Sequence, residues 1–600
     1  LKLAYTALPR ASRGVAMLSV ALAAAWVRAC VAQPLGSSSR TAAGSPEARG
    51  PVVLTDCGLV EGLEEGEEGA RVQVFRGIKY AVAERWRLPQ RLKAAGQCWA
   101  PGTLKATELG PACVNIFGLG TEDCLTLDVW IPSHAQSGRP VMVFFHGGDL
   151  TMSRSGTHFG KLAAHGQGAV VVDVNYRLNL AGFLSIEAML AESPTRSTGG
   201  FGFRDMLESL QWVQRNARAF GGDPARVMIF GQSSGGTSVL SLLASPLSAG
   251  LFSRAMSLSG SPNISMPAAV QRRQHARIVE AAGCVNRTDV EVMACLRKLS
   301  INLLGKLWWA EPKGSDHGVG TAENPSWLQD NLFDLPRHRD GLRLPGLAVV
   351  DGDIVREPVE QALAMGRNDV PVIISSMAQE GGFFPGEKFD WALTPEEFQK
   401  RLQGDFAFMS PDLGDDVAKL YASQIGVSAQ MAFETIAADI EMACGNLALA
   451  LAASRGFRRG PVYLVYNEQH GEGIFHNLAW AYHGADLAAA STGTGEMASE
   501  LRSAWHEFAA TGRVAAWQPV GSVSPWVSMR LQNNGTRASA AWKLKECQFW
   551  KDTGFGHAKT DFIVLGPSSD ETCRHSHSVP PPGALPCFAA TGPHVSARPS

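Results

Sequence analysis

The stretch Val227-Met-Ile-Phe-Gly231-Gln-Ser233-Ser-Gly235-Gly236 constrains the fold of this chain more than any other. Four apolar residues, VMIF, read as a buried strand, and Thr237-Ser-Val-Leu-Ser-Leu-Leu-Ala reads as a helix starting directly behind it. Between them a serine stands flanked at two-residue spacing by Gly231 and Gly235, the pattern of a nucleophile elbow. So tight a turn drives flanking side chains into the strand or the helix, so glycine is required on both sides. The turn also lifts the Ser233 hydroxyl above the sheet, near the positive end of the following helix. With 63 glycines in 600 residues, such a pentad arises by accident in about one chain in two. The pentad therefore needs an oxyanion site, a base and an acid elsewhere.

The rest of the chain supplies a matching framework. Strand-like runs recur at 71–75 (RVQVF), 125–131 (LTLDVWI), 141–145 (VMVFF), 169–176 (AVVVDVNY), 370–375 (VPVIIS) and 462–466 (VYLVY). Several are apolar throughout, as expected of strands covered on both faces. Helical patterns lie between them, at 204–220 with Gly221-Gly222 closing the end, and at 269–282, 290–299, 429–453 and 496–510. This alternation predicts an α/β fold: one large domain, residues 51–565, with a mostly parallel central sheet between helical layers.

A hydrophobic content of 45%, a charged content of 18% and a net charge of −2 give no reason to expect nucleic acid or an anionic membrane as partner. Near the start, Arg10 and Arg13 precede the apolar run Val15–Val27, which is too short to span a bilayer comfortably. Small residues at Cys30 and Ala32 allow cleavage before Gln33, so residues 1–32 read as a secretory signal. The first acidic residue is Glu47, which also suits an organelle transit peptide. No other run reaches membrane-spanning length, so no transmembrane segment is expected. Residues 33–50 read as a flexible lead-in, and 566–600, rich in Pro, Ser and His, as a disordered tail. Eleven cysteines include Cys30, and the even remainder points towards disulfides in a secreted chain, with buried free thiols as the other reading. Glycosylation sequons occur at Asn263, Asn286 and Asn534.

Upstream of the elbow, VMVFF ends in His146-Gly147-Gly148-Asp149. A glycine-rich turn after a strand can present backbone N–H groups to a developing oxyanion. Gly148 and Asp149 are the candidate donors there, with the N–H of Ser234 as the third. Metal catalysis is rejected: the 15 histidines form no H-E-x-x-H, and no paired C-x-x-C spacing occurs.

Four further segments accompany these: Phe75-Arg-Gly-Ile-Lys-Tyr-Ala81, Glu122-Asp-Cys124-Leu-Thr-Leu-Asp-Val129, Asn175-Tyr-Arg177 with Gly182-Phe-Leu-Ser185, and Leu210–Asn216 with Phe220-Gly-Gly-Asp-Pro224. Taken with the elbow, they resemble the carboxylesterase/cholinesterase family, the type-B esterases of the α/β-hydrolase fold, over roughly residues 51–555. The resemblance implies an acid at Glu380, in Glu380-Gly-Gly-Phe-Phe384, and a base at His483, in His483-Gly-Ala-Asp486-Leu487. The order Ser233, Glu380, His483 is that of an α/β-hydrolase triad. A serine hydroxyl is a poor nucleophile until an imidazole can take its proton, and that imidazole needs a carboxylate on its other nitrogen. The resemblance also implies disulfides Cys113–Cys124, Cys284–Cys295 and Cys444–Cys547, suggests Cys57–Cys98, and leaves Cys573 and Cys587 in the tail. Ion pairs Arg85–Glu122 and Arg177–Asp205 match structural pairs of the family.

Three departures bear on function. Asp149 stands where the family has Gly or Ala. A carboxylate about 5 Å from the oxyanion, at an effective dielectric of about 20, would cost about 3 kcal/mol, about a hundredfold in rate. Gln232 replaces the usual glutamate before the nucleophile. The loop from Cys113 to Cys124 is short and lacks tryptophan, whereas the cholinesterase loop carries the ring that binds quaternary ammonium. The expectation is a secreted serine hydrolase acting on a small-molecule substrate, an uncharged carboxylic ester rather than a choline ester, without cofactor or metal. The alternative is a cholinesterase-like adhesion or binding domain with impaired catalysis.

Overall fold

Successive residues of a strand face opposite sides of a sheet, and here both sides are covered. Val141, Val143, Phe145, Val227 and Ile229 enter one core, while Met142, Phe144, Met228 and Phe230 enter another. A strand with a hydrophobic layer on each face has no position left for a polar side chain, which is why VMVFF and VMIF do not alternate.

The computed structural model describes residues 50–66, 71–134, 136–262, 264–265, 267–307, 348–380, 393–406, 410–469 and 481–553. The leader at 1–32, the lead-in except Gly50, Asn263, Cys573, Cys587 and the tail at 566–600 lie outside them. Among the described residues eleven strands form one sheet. They are β1 (Leu63–Glu65), β2 (Val72–Lys79), β3 (Thr126–Pro132), β4 (Arg139–Phe145), β5 (Val170–Val174), β6 (Gly222–Gln232), β7 (Arg254–Leu258), β8 (Val372–Met377), β9 (Val462–Asn467), β10 (Val527–Gln532) and β11 (Gly535–Ala540). Their spatial order is β11-β10-β9-β8-β7-β6-β4-β5-β3-β2-β1. From β10 through to β5 every pairing is parallel. β11 at one edge, and β3, β2 and β1 at the other, pair antiparallel. This is the mostly parallel sheet of an α/β-hydrolase fold.

Helices cover both faces. α1 (Phe201–Asn216) and α2 (Ser234–Ala244) bring Met206, Leu210, Val213, Val239 and Leu242 to the first core. α3 (Ala485–Thr492) and α4 (Glu496–Thr511) bring Ala489, Leu501, Trp505 and Phe508 to the second. The C-terminal end of the α1 region is closed by Gly221 at φ +77°, a left-handed position that suits glycine. The long apolar stretch Ala429–Gly456 passes the length and composition test for a membrane span, but 89% of its most apolar window is buried inside the protein, as for a core helix. It is interrupted by a π-helical turn at Asp439–Ala443, where Asp439 pairs with the buried Lys543 at 2.8 Å.

Disulfides join Cys57 to Cys98, Cys113 to Cys124, Cys284 to Cys295 and Cys444 to Cys547. Arg85 grips Glu122 through two hydrogen bonds of 2.7 Å, and Arg177 does the same to the fully buried Asp205. Asn286 and Asn534 are exposed.

In a parallel sheet all strand carboxyl ends lie on one edge, where α/β proteins gather their functional loops. The register places Phe145 of β4 opposite Gly231 of β6. The turns that follow, His146–Asp149 and Gln232–Ser234, therefore leave the sheet side by side. β8 ends at Met377 on the same edge, three residues before Glu380.

Candidate active site

Ser233 sits at the break between β6 and α2 with φ +60° and ψ −132°, a conformation that side chains rarely adopt. Backbone hydrogen bonds hold it there: Ser233 N–H donates to Leu258 O at 2.9 Å, and Thr237 N–H donates to Ser233 O at 3.0 Å. The flanking glycines are required by contact. A β-carbon on Gly231 would lie 2.3 Å from Gly235 O, and one on Gly235 would lie 2.0 Å from Phe145 O. Both values are far inside van der Waals contact, so strand, turn and helix close only without side chains.

The neighbouring turn is built on a buried histidine. The His146 ring stacks on Tyr176, with centroids 4.4 Å apart and planes 16° apart. Tyr176 Oη donates to His146 O at 2.6 Å. Burial pushes the His146 imidazole down to about 4, so it is neutral and structural at neutral pH. Gly147 then passes so close to the elbow that a β-carbon on it would lie 2.9 Å from Ser233 Cβ. Gly148, Asp149 and Leu150 follow with φ of +97°, +58° and +55°. Asp is among the few residues with a β-carbon that tolerate this region, and Asp149 is exposed at the rim.

Glu380 lies just beyond β8, with its side chain only 1% exposed. Its Oε1 accepts the Met377 N–H at 2.7 Å, and its Oε2 lies 2.6 Å from His483 Nδ1. The His483 segment is tied to Glu380 by its neighbours. Gln379 N–H donates to Ala481 O at 3.1 Å, and Ala481 N–H donates to Gln379 Oε1 at 3.0 Å. Gln379 was not among the residues singled out from sequence, because its role depends on a contact across 102 positions. Gly484, after His483, has φ +84°, and a β-carbon there would lie 3.2 Å from Gln232 Nε2. The His483 segment thus touches the residue before Ser233. No hydrogen bond joins Ser233 Oγ to His483 among the described residues; such bonds are often loose before substrate arrives.

Electrostatics follow from this burial. Burial disfavours the charged imidazolium of His483, but the Glu380 carboxylate and its hydrogen bond, with Asp486 behind, outweigh it and raise the ring above its usual value. Asp486, itself buried, is pushed up to about 6 by burial, with the Glu380 charge adding to the rise. A cavity of about 910 Å³ between Trp86, Arg87, Glu192, Phe201 and Arg204 is not part of this constellation. Its walls include none of Ser233, Glu380 and His483.

Comparison with known proteins agrees with the fold. The model of the carboxylesterase family matches residues 49–550. Fumonisin B1 esterase of Sphingopyxis macrogoltabida is 32% identical over 345 residues, 55% of this chain and 56% of that protein. Carboxylesterase 3B of Mus musculus is 37% identical over 273 residues, 42% of this chain and 46% of that protein. Acetylcholinesterase of Bungarus fasciatus is 28% identical over 354 residues, 55% and 54% of the two chains. The chain thus matches about half the length of these relatives.

Proposed function

The chain belongs to the carboxylesterase family, and from that premise we propose that it hydrolyses carboxylic esters through an acyl-serine intermediate. The observation that carries the reading is the 2.6 Å pair between His483 Nδ1 and Glu380, on a segment in contact with the Ser233 elbow. Ser233 Oγ attacks the ester carbonyl carbon while His483 Nε2 takes its proton. The negative charge that develops on the carbonyl oxygen is met by the N–H groups of Gly148, Asp149 and Ser234. The imidazolium then protonates the leaving alcohol, and Glu380 stabilises that cation and fixes the ring. Water, deprotonated by His483, cleaves the acyl-enzyme by the reverse roles. This cycle uses no cofactor or metal.

The exposed position of Asp149 supports catalysis over the binding-only alternative, since the charge is at the rim in solvent. The loop from Cys113 to Cys124, with Val114, Ile116, Phe117 and Leu119 but no tryptophan, favours uncharged esters over choline esters. Four disulfides support folding in an oxidising compartment, and with the leader they favour the secretory pathway or the extracellular space. Asn286 and Asn534 are then glycosylation candidates on the described surface.

The test is turnover of p-nitrophenyl esters from acetate to long acyl chains, beside acetylthiocholine. The reading expects turnover of the aryl esters, little of the choline ester, and none by Ser233→Ala. A blank across the series from folded wild type rejects it.

A further inference from the structure

Ser234 carries more than a backbone donor. Its Oγ accepts a hydrogen bond from the Leu150 N–H at 3.0 Å, joining the first residue of α2 to the turn after β4. We propose that the Ser234 hydroxyl is a positioning residue that holds the oxyanion turn in register with the nucleophile elbow. This rests on the ester-hydrolase reading above and adds a role that the backbone N–H alone does not supply.

The turn needs such a tie. Gly148, Asp149 and Leu150 all have positive φ, and two of them carry a β-carbon. Backbone in this region persists only where its surroundings over-determine it. Three sets of bonds do so here. Gly148 O accepts the N–H groups of Thr151 and Met152, each at 3.0 Å. Leu150 O accepts the Asn179 N–H at 2.7 Å. Leu150 N–H is held by Ser234 Oγ. The first two anchor the turn to its own loop and to the segment after β5. The Ser234 bond ties it to the elbow. Leu150 is 2% exposed and Ser234 8%, so removing the hydroxyl leaves a buried N–H without its partner, and the turn relaxes to satisfy it.

Relaxation would move the Gly148 and Asp149 donors relative to the Ser234 N–H. Donors aimed at the transition-state oxygen contribute to the rate and little to ground-state binding. The signature is therefore a fall in kcat at nearly constant KM. The loss should be smaller than that of deleting a donor outright.

The experiment compares wild type, Ser234→Ala, Ser234→Thr and Ser234→Cys. Each is measured per active site titrated with a fluorophosphonate, on p-nitrophenyl butyrate. A trifluoromethyl ketone serves as the oxyanion probe: Ser233 Oγ bonds to its carbonyl carbon, the serine proton passes to His483, and the oxygen becomes the held alkoxide. Ser234→Ala is expected to lower kcat by roughly 10- to 100-fold with KM within about twofold, and to weaken the ketone by the same factor. Ser234→Thr, which keeps the hydroxyl, is expected to recover most of both. Ser234→Cys, a weaker acceptor of similar size, should lie between and carries the comparison should the alanine variant not fold. A rate per titrated site equal to wild type in Ser234→Ala overturns the inference, as does a rate loss with unchanged ketone affinity, or an equal loss in Ser234→Thr. Wild type that neither turns over nor titrates overturns the ester-hydrolase reading itself, and the inference with it.

Discussion

At the scale of single residues, the site divides into what local sequence dictates and what only a long-range contact can reveal. The need for Gly231 and Gly235 was legible because the turn that demands them is local, and the clashes a β-carbon would make confirm its tightness. Glu380 and His483 were reached by resemblance, since the bond between them spans 103 positions. Gln379 and the Ser234 hydroxyl took their meaning only from coordinates. Glu380→Gln should lower kcat by about 10³- to 10⁴-fold, because the ring loses its tautomer and its counter-charge. His483 must be neutral to take a proton, so wild-type kcat/KM should fall as pH drops through its raised pKa. That acid limb should lie above 6.5, the ordinary imidazole value, and shift down in Glu380→Gln; a limb at or below 6.5 in wild type contradicts the account. Asp128 lies directly opposite Asp173 across β3 and β5, and both are fully buried. Burial pushes the Asp128 carboxyl from 3.8 up to about 6. A carboxyl raised in the folded state favours its proton, so its contribution to stability falls as pH rises between those values. Asn keeps an acceptor for the Gly77 N–H, now bonded at 2.7 Å, without the charge. Asp128→Asn should therefore be more stable than wild type at pH 7 by up to about 3 kcal/mol, with the gain vanishing below pH 4. Urea unfolding at both pH values checks this, and no gain at pH 7 contradicts it.

At the scale of elements, the long apolar strands and amphipathic helices were readable, and the polar strands were not. β7, RAMSL, is short and opens with Arg254; β10, VSMRLQ, carries Arg530 and has only β11 beyond it. Neither has the continuous apolar run that marks a strand covered on both faces. Their place was fixed by pairing, β7 between β6 and β8 and β10 beside β9. The stretch read as one helix at 429–453 is broken by the π turn, which sequence periodicity does not register. The Cys444–Cys547 bridge ties the helix after that turn to Leu544–Asp552. It closes a separation of 103 residues, so the double variant Cys444→Ser/Cys547→Ser should lose about 2–4 kcal/mol of stability. Chemical unfolding measures it, and kcat of the folded fraction should be unchanged because the bridge touches none of Ser233, Glu380 and His483.

At the scale of the whole molecule, one sheet collects the chemistry. Parallel strands β4, β6 and β8 end on a common edge and deliver the His146–Asp149 turn, Ser233 and Glu380 there, while His483 arrives from the segment before α3. Sequence alternation predicted that architecture because each βα unit repeats the same hydrophobic logic. It did not predict how the turns meet, since that depends on register, and Phe145 opposite Gly231 is a property of the assembled sheet. The proposed reaction requires that this meeting make Ser233 a nucleophile. Its most direct test is intact-mass and peptide mapping after exposure to a diethyl aryl phosphate. One diethylphosphoryl adduct per chain is expected on Ser233, absent in Ser233→Ala and formed far more slowly in Glu380→Gln. A folded wild type that acquires no adduct, or acquires it on another residue, would contradict it.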